Sequence, residues 1–299
     1  MSLVESASSV LLRILPRGLF LKIRNTWLKT RKRAAPVLRL IHGKFTTAEL
    51  IADIDAHLDR DWDILMVHSS VNNLSPLYDG SAMELLKALM EYVGPDRTLV
   101  MPAFNFGDDG EGARDMLVRM GRFDLRRTPS KMGLMTELFR RSRGVLQSRH
   151  PVYRVAAIGP RAEDLVAGHD RTPSGMGPGS PFDYMARHNA QILGIGKPFQ
   201  VMTQVHNAES LLEDDWPAPT TTLPPLRVTV VDSAGETELL LGGRQQQWRF
   251  NIWKLREIMS PEQLREWRFH GCPMFAARAG EVTEALVNAA RRGVTLYDP

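Results

Sequence analysis

The sequence predicts an α/β protein with a layered α/β/α arrangement around a central mixed sheet, a basic N-terminal helical arm and a C-terminal hairpin and helix extension. Strand-like apolar runs alternate with helical patterns from residue 45 to about residue 213, which is typical of a layered α/β sheet. Positive charge is concentrated before residue 43, and a hairpin pattern follows residue 225. We therefore expect an arm over residues 1–43 and one body over residues 44–299.

The arm is strongly basic. Up to His42 it holds nine Lys and Arg side chains against Glu5 alone, so it carries +8 and the rest of the chain about −4 of the total +4. Apolar residues such as Leu15, Phe20 and Trp27 are interleaved with these charges. A basic amphipathic segment can lie on an anionic membrane, which predicts peripheral membrane contact through residues 10–39. The alternative is an arm that packs on its own body or on a second subunit of a homodimer.

Composition restricts the class of protein. Hydrophobic residues at 43% and charged residues at 24% are ordinary globular values, and 299 residues suffice for a large core. The single Cys272 fits a reducing compartment. Arg13 and Arg17 interrupt the first apolar stretch, which argues against a signal peptide, and no apolar run approaches the roughly 20 residues of a membrane span. We expect a cytoplasmic protein, reaching the inner membrane face through its arm, and no nucleic-acid partner.

The elements of the body follow from periodicity. Residues 64–69 form an apolar strand, and the recurrence of apolar side chains every three or four residues predicts a helix from Gly80-Ser81 to Gly94-Pro95. Residues 97–102 return as a second buried strand. Further strands are predicted at 152–158 and 191–193, with a helix near 161–167 between them. A hairpin is expected over 226–231 and 237–241, a helix after the Ser260-Pro261-x-Gln263 capping box, and a last helix over 281–292.

One triplet has catalytic spacing. Thr203, His206 and Glu209 are three residues apart, so on a helix they would lie along one side and face a common pocket. A carboxylate that orients an imidazole, with a hydroxyl nearby, can deprotonate a weak nucleophile and stabilise an oxyanion. The alternative is a chance His-x-x-Glu on an ordinary helix.

Two other polar groups suggest ligand sites. The loop at His68-Ser69-Ser70-Val71 ends a strand, where free backbone amides could hold a phosphate; the alternative is a turn with solvated hydroxyls. His150, His206 and Glu209 could together bind zinc with one open position. The chain lacks the His-Glu-x-x-His motif and paired cysteines, so we expect no metal.

Several segments in this order and spacing resemble the aminoglycoside 3-N-acetyltransferase family, which is distinct from the GCN5-related acetyltransferases. They are residues 64–76, Phe123-Asp124, residues 128–133, residues 137–140, residues 147–151, residues 177–181 and the Thr203 triplet. The resemblance runs from about Phe45 to Glu209. It implies a catalytic domain over residues 44–299 that transfers an acyl group, in the simplest case acetyl, from acyl-coenzyme A to an amine, without a metal. The acceptor that it implies is an amino sugar, an aminoglycoside-like compound or a secondary metabolite.

The resemblance also implies site residues. Glu209 would hold the tautomer of His206, His206 would take a proton from the amine, and Thr203 would donate to the oxyanion, with the amine attacking the thioester directly. The His150-Pro151 pair would lie near the active site. The residues expected to contact coenzyme A are His68, Ser69, Ser70, Val71, Pro102, Ser130 and Ser148.

The chain departs from the family pattern at two positions, since Gln147 replaces an Arg and Arg154 replaces a Ser. A fixed positive charge at Arg154 beside the site would repel polycationic antibiotics and favour an anionic amino sugar. The acidic run at residues 213–215 would instead attract a cationic one. Two other hypotheses are a non-catalytic, membrane-associated scaffold protein on this fold and a metal-dependent hydrolase.

Overall fold

The structure is a computed structural model that describes residue 30, residues 33–108 and residues 111–299. Its strands are β1 (Ile64–Ser69), β2 (Thr98–Pro102), β3 (Arg122–Asp124), β4 (Leu146–Gln147), β5 (Val155–Ile158), β6 (Ala190–Ile195), β7 (Thr220–Thr222), β8 (Leu226–Asp232), β9 (Gly235–Leu241), β10 (Arg244–Gln246), β11 (Arg249–Phe250), β12 (Leu264–Phe269), β13 (Cys272–Arg278) and β14 (Tyr297–Asp298).

The α-helices are α1 (Ala35–His42), α2 (Thr47–His57), α3 (Val71–Leu74), α4 (Ala82–Val93), α5 (Ala113–Met120), α6 (Leu134–Arg140), α7 (Ala162–Val166), α8 (Pro181–Arg187), α9 (Asn207–Leu212), α10 (Leu255–Ile258) and α11 (Ala279–Arg291). Short 3-10 helices cover His169–Arg171, Phe199–Val201, Thr203–His206, Glu213–Asp215 and Ile252–Lys254.

Seven strands form the central sheet in the order β12-β13-β6-β1-β2-β5-β4. Strand β1 runs parallel to β2 and β6, whereas the outer pairs are antiparallel, so the sheet is mixed as the sequence predicts. Ile64 and Met66 of β1 enter one core cluster, and Leu65 and Val67 enter the other. Successive side chains of a strand point to opposite faces of the sheet. Because both faces are buried here, β1 carries apolar residues at odd and at even positions. The three-layer prediction is confirmed.

Helices cover both faces of this sheet. Residues of α7, α8, α9 and α11 pack in the first cluster, and residues of α2, α4 and α6 pack in the second. The predicted helix after Gly80-Ser81 is confirmed as α4: the Ser81 side chain accepts from the amide of Glu84, and Gly94 ends the helix at φ 74°. A positive φ at that position costs glycine little.

A smaller three-stranded sheet, β3-β8-β9, stands beside the central one. The predicted hairpin is confirmed as β8 and β9, which pair from Leu226↔Leu241 to Asp232↔Gly235. Met116 and Leu117 of α5 pack on this sheet in a third core cluster. The small sheet therefore fixes α5 next to the main body.

Two local predictions are wrong. The Ser260 capping box forms its hydrogen bonds to Gln263, but the chain makes only a turn and continues as β12. Six residues of β12 pair with β13, and this ladder outweighs a four-residue start signal. The strand expected at 152–158 begins at Val155, because residues 151–153 turn around the ring of His150.

The arm is described only in part. Residues 1–29 lie outside the described residues, as does most of the segment predicted to touch a membrane. Helix α1 has no buried residue, and Val37, Leu40 and Ile41 are 59%, 87% and 66% exposed. The described part of the arm thus directs an apolar face to solvent. Within the described residues, no helix has the length and apolar character needed to cross a bilayer.

Candidate active site

A cavity of about 540 Å³ lies between the central body and the small sheet. This volume is in the range that holds sugar-sized ligands. Its wall combines aromatic, charged and apolar side chains, among them His150, Tyr153, His206, Glu209, Glu213, Trp216, Arg114, Leu117, Arg244 and Gln246. The predicted residues His150, His206 and Glu209 therefore meet on one wall, although more than fifty residues separate His150 from the other two.

His206 and Glu209 form a hydrogen-bonded pair. Thr203–His206 is a 3-10 helix that continues directly into α9, so the triplet is not on one α-helix as the spacing predicts. The Nδ1 of His206 nevertheless lies 2.9 Å from Oε1 of Glu209. An ionised carboxylate can only accept, so Nδ1 donates and the lone pair of the neutral ring lies on Nε2. This tautomer is the one that a general base requires.

Two further side chains hold Glu209. The amide of Gln246 donates to Oε2 at 2.8 Å, and the hydroxyl of Tyr297 donates to Oε1 at 2.8 Å. Burial first, and the charge of Glu209 second, raise the pKa of Tyr297, so its hydroxyl keeps the proton that it donates. Sequence reasoning missed both residues, because each is far from Glu209 along the chain and has no local motif.

His150 is a buried, neutral histidine at the cavity wall. Its Nδ1 accepts from the backbone amides of Val152 and Tyr153 at 3.3 and 3.0 Å, so the ring proton is on Nε2. The ring stacks on His169 with centroids 4.9 Å apart. Burial first, and His169 second, hold the pKa of His150 well below its usual value near 6.5. His150 therefore has a fixed tautomer and is uncharged at neutral pH.

The remaining predicted residues lie outside this cavity lining. Thr203 is half-buried at the start of the 3-10 helix. Pro102 is buried in β2, and Ser148 is fully buried, with its hydroxyl shared between His169 and the amide of Val155. The hydroxyl of Ser130 accepts from the amide of Met132, and its own amide donates to Glu137. Pro102 and Ser148 therefore offer a ligand little surface.

The 68–71 loop lies where parallel strands end. His68 and Ser69 are the last residues of β1, and the amide of Ser70 donates to the carbonyl of Ile195, the last residue of β6. Ligands of open α/β sheets bind outside the carboxyl ends of strands, where neighbouring connections diverge. Burial first, and Lys197 second, lower the pKa of His68 to about 3, so this ring is not a cationic phosphate ligand. After β6 the chain passes through the 3-10 helix Phe199–Val201 and then reaches Thr203–His206.

Arg154 does not face the cavity, and the prediction that it repels cationic substrates is wrong. It is 0% exposed, and its guanidinium donates to the carbonyls of Ala103, Leu125 and Thr128 at 3.1, 2.6 and 3.0 Å. Burial, and then Arg140, lower the pKa of Arg154 to about 9, which leaves it charged at pH 7. Its guanidinium therefore joins the residue after β2 to the turn at residues 125–128.

The zinc hypothesis gains no support from the geometry. Among the residues that the structure describes, no group of three or more His, Cys, Asp or Glu side chains could hold a metal ion. The Nδ1 atoms of His150 and His206 are both engaged in the hydrogen bonds given above.

The structure thus combines a three-layer α/β body with a histidine that is hydrogen-bonded to a carboxylate at the wall of a cavity of small-molecule size. The chain belongs to the aminoglycoside 3-N-acetyltransferase family, whose model matches residues 66–290. This confirms the resemblance seen in the sequence. It does not favour the scaffold or the hydrolase hypothesis.

Curated relatives carry the same family name. The chain is 28% identical over 164 residues to aminoglycoside N(3)-acetyltransferase IX of Micromonospora chalcea, an alignment that covers 52% of this chain and 58% of the relative. It is 32% identical over 161 residues to aminoglycoside N(3)-acetyltransferase IV of Salmonella sp., covering 52% and 55%. The chain thus spans less than two thirds of the length of either relative.

Solved structures share the fold over a longer range. The crystal structure of the aminoglycoside acetyltransferase AAC(3)-Xa superimposes with a TM-score of 0.71 at 20% identity, covering 88% of this chain and 99% of the other. The binary complex of AAC-IIIb with CoASH gives a TM-score of 0.67 at 22% identity, covering 85% and 99%. These likenesses confirm the fold class.

Proposed function

We propose that the protein is an N-acyltransferase that moves an acetyl or related acyl group from acyl-coenzyme A to an amine of an amino sugar or similar metabolite. The observation that carries this proposal is the His206–Glu209 pair, which leaves the Nε2 lone pair of a neutral imidazole available at the wall of a sugar-sized cavity. Membership of the family and the names of the relatives support it.

In the proposed reaction His206 acts as the general base. Nε2 of His206 takes a proton from the substrate amine, and the amine nitrogen attacks the thioester carbonyl. The new N–C bond forms as the C–S bond breaks, and coenzyme A leaves with the sulfur electron pair and then takes up a proton. Glu209 stabilises the imidazolium, and Gln246 and Tyr297 keep that carboxylate in place. The role of Thr203 as donor to the oxyanion stays a prediction, as does a chemical role for His150.

We place coenzyme A beside the 68–71 loop, with Ser130 nearby. The first turn of α3 leaves the amides of Val71 and Asn72 without an intrahelical carbonyl, and such amides suit a phosphate oxygen. The amide of Ser70 is used by Ile195, and the side chain of Asn73 donates to Gly196 at 2.9 Å, so the loop is tied to the end of β6.

A matched pair of variants tests this placement. In Asn72→Asp a carboxylate replaces an exposed amide of nearly the same shape beside the proposed phosphate site, whereas Asn72→Ser changes the same side chain without adding a charge. We expect acetyl-coenzyme A to bind Asn72→Asp roughly tenfold more weakly than Asn72→Ser, because like charges repel at close range. Calorimetry gives both dissociation constants. Equal affinity of the two variants would move the coenzyme to another surface.

The function itself is tested by release of free thiol. Purified protein with acetyl-coenzyme A and a panel of amino sugars should liberate coenzyme A only when an acceptable amine is present, and mass spectrometry should show the N-acetyl product. Acetyl-coenzyme A alone should raise the melting temperature saturably, since it binds the folded state. No thermal shift at millimolar ligand, and no thiol release with any amine, would refute the proposal.

We also propose that the arm contacts an anionic membrane. Residues 1–42 carry +8, and α1 exposes Val37, Leu40 and Ile41 on one face, as spacings of three and four require. Basic charge beside an exposed apolar face matches an anionic lipid surface. The packing of the arm on a second subunit and the cytoplasmic location stay predictions.

Vesicle sedimentation checks the membrane contact. We expect binding to vesicles rich in phosphatidylglycerol, weak binding to phosphatidylcholine alone, and loss on raising salt. The double variant Leu40→Asp, Ile41→Asp should bind several-fold less, while Leu240→Asp, at a 55% exposed site on β9, should bind like the wild type. If the wild type and Leu240→Asp instead form dimers, the double variant is a monomer and none of the three binds either vesicle type, the arm is a subunit contact.

A further inference from the structure

Among the described residues, two glutamates and two arginines line the cavity, and one of each already has partners of opposite charge or hydrogen-bond donors. Glu209 serves His206, Gln246 and Tyr297. Arg244 is paired with Asp214 and donates to the backbone carbonyl of Glu213 at 2.8 Å. Arg114 and the carboxylate of Glu213 complete the set. Among the described residues, no ion pair joins Arg114 or Glu213 to an opposite charge.

Arg114 is held on the cavity wall by its helix. It is the second residue of α5, and Leu117, one turn later on the same side, also lines the cavity. Leu117 is 3% exposed and packs, with Met116, on the small sheet, which fixes the orientation of α5. The guanidinium is therefore presented from the small-sheet side, whereas His206 comes from the main body.

A half-buried guanidinium without a carboxylate partner has lost part of its hydration and gained no counter-charge. Its planar fork of donors matches the two oxygens of a carboxylate or a phosphate. A polycationic acceptor bound at His206 would bring a further ammonium toward this charge, at a cost in affinity. The exposed carboxylate of Glu213 supplies the opposite sign on the same wall.

We propose that the acceptor is a zwitterion: an amine that also bears a carboxylate or phosphate, with Arg114 binding the anionic group and Glu213 attracting the ammonium. This inference rests on the proposed acyl transfer and names the substrate class of that site. It does not depend on Arg154, whose charge is buried elsewhere. Arg114 is a specificity-determining residue, and the proton transfer stays with His206.

Matched acceptors test the proposal. Glucosamine, glucosamine 6-phosphate and muramic acid share an amino-sugar core and differ in whether they carry no anion, a phosphate or a carboxylate. Thiol release gives kcat and KM for each acceptor, and calorimetry without acetyl-coenzyme A gives binding alone. The variant is Arg114→Gln, and the control is Arg127→Gln, which removes an arginine that is 90% exposed and lies outside the cavity.

We expect at least one anionic acceptor to have a KM at least tenfold below that of glucosamine, and Arg114→Gln to raise that KM by tenfold or more with a much smaller change in kcat. Arg127→Gln should behave as the wild type. Equal KM values for all three acceptors, or a preference that survives in Arg114→Gln, would overturn the inference. Arg114-dependent binding of an anionic acceptor without any thiol release would sustain the inference about the cavity and refute the acyl transfer.

Discussion

Replacing His206 by alanine is expected to lower turnover by roughly 10²–10⁴, with acetyl-coenzyme A still bound. Alanine removes the Nε2 lone pair that takes the proton from the amine, whereas the proposed coenzyme loop at residues 68–71 is left intact. Steady-state thiol release measures the rate, and calorimetry measures coenzyme binding. Imidazole added to the assay should restore part of the lost activity, because it can act as a base in the space that the ring vacates.

Glu209→Gln should lose less than His206→Ala, because the imidazole remains while its orientation and the charge that stabilises the imidazolium are weakened. Tyr297→Phe removes one of the two donors that Glu209 has besides His206, and should lose less again. This graded order is the expected signature of a base supported by a carboxylate. Wild-type turnover in His206→Ala would exclude His206 as the base and direct attention to His150.

Arg154→Ser is expected to damage the fold and to leave substrate choice unchanged in the molecules that remain folded. Serine cannot reach the carbonyls of Ala103, Leu125 and Thr128, so three buried acceptors lose a charged donor and a void forms. An unpaired buried acceptor costs about 1–3 kcal/mol, so we expect a loss of roughly 3 kcal/mol or more. The melting temperature should fall by about 10 °C.

The control for this prediction is Arg127→Ser. Its side chain is 90% exposed, and the change should alter the free energy of unfolding by about 0.5 kcal/mol or less. Acceptor profiles of Arg154→Ser are to be measured at a temperature where the variant is folded. A variant of unchanged melting temperature that gains activity on polycationic aminoglycosides would show that Arg154 acts in the site after all.

The elements that sequence predicts well are those whose signal is local and whose burial is complete. Helix α4 has a cap, a periodic apolar face and a terminal glycine, and all three agree with its packing. The Ser260 box fails because pairing of β12 with β13, a non-local interaction, decides that segment. Local patterns carry no information about such a partner.

The same division applies to the site. His206 and Glu209 are three residues apart, so their contact is visible in the sequence, whereas Gln246 and Tyr297 reach Glu209 only in the folded chain. Arg154 shows the converse: its position inside a motif predicts that it faces the site, whereas its guanidinium donates to three carbonyls in the core. A motif predicts which part of the fold a residue belongs to. The direction in which its side chain points depends on tertiary packing.

The support of Glu209 has a consequence for biosynthesis. Its two donors besides His206 lie 37 and 88 residues further along the chain, and the second belongs to β14, which pairs with β11. During translation His206 and Glu209 are synthesised before either donor, and Tyr297 follows only after β12 and β13 of the central sheet have been made. The base thus reaches its final alignment only after Tyr297 has docked, so proteolytic trimming before that residue would remove a supporting donor of Glu209 together with part of the first core cluster.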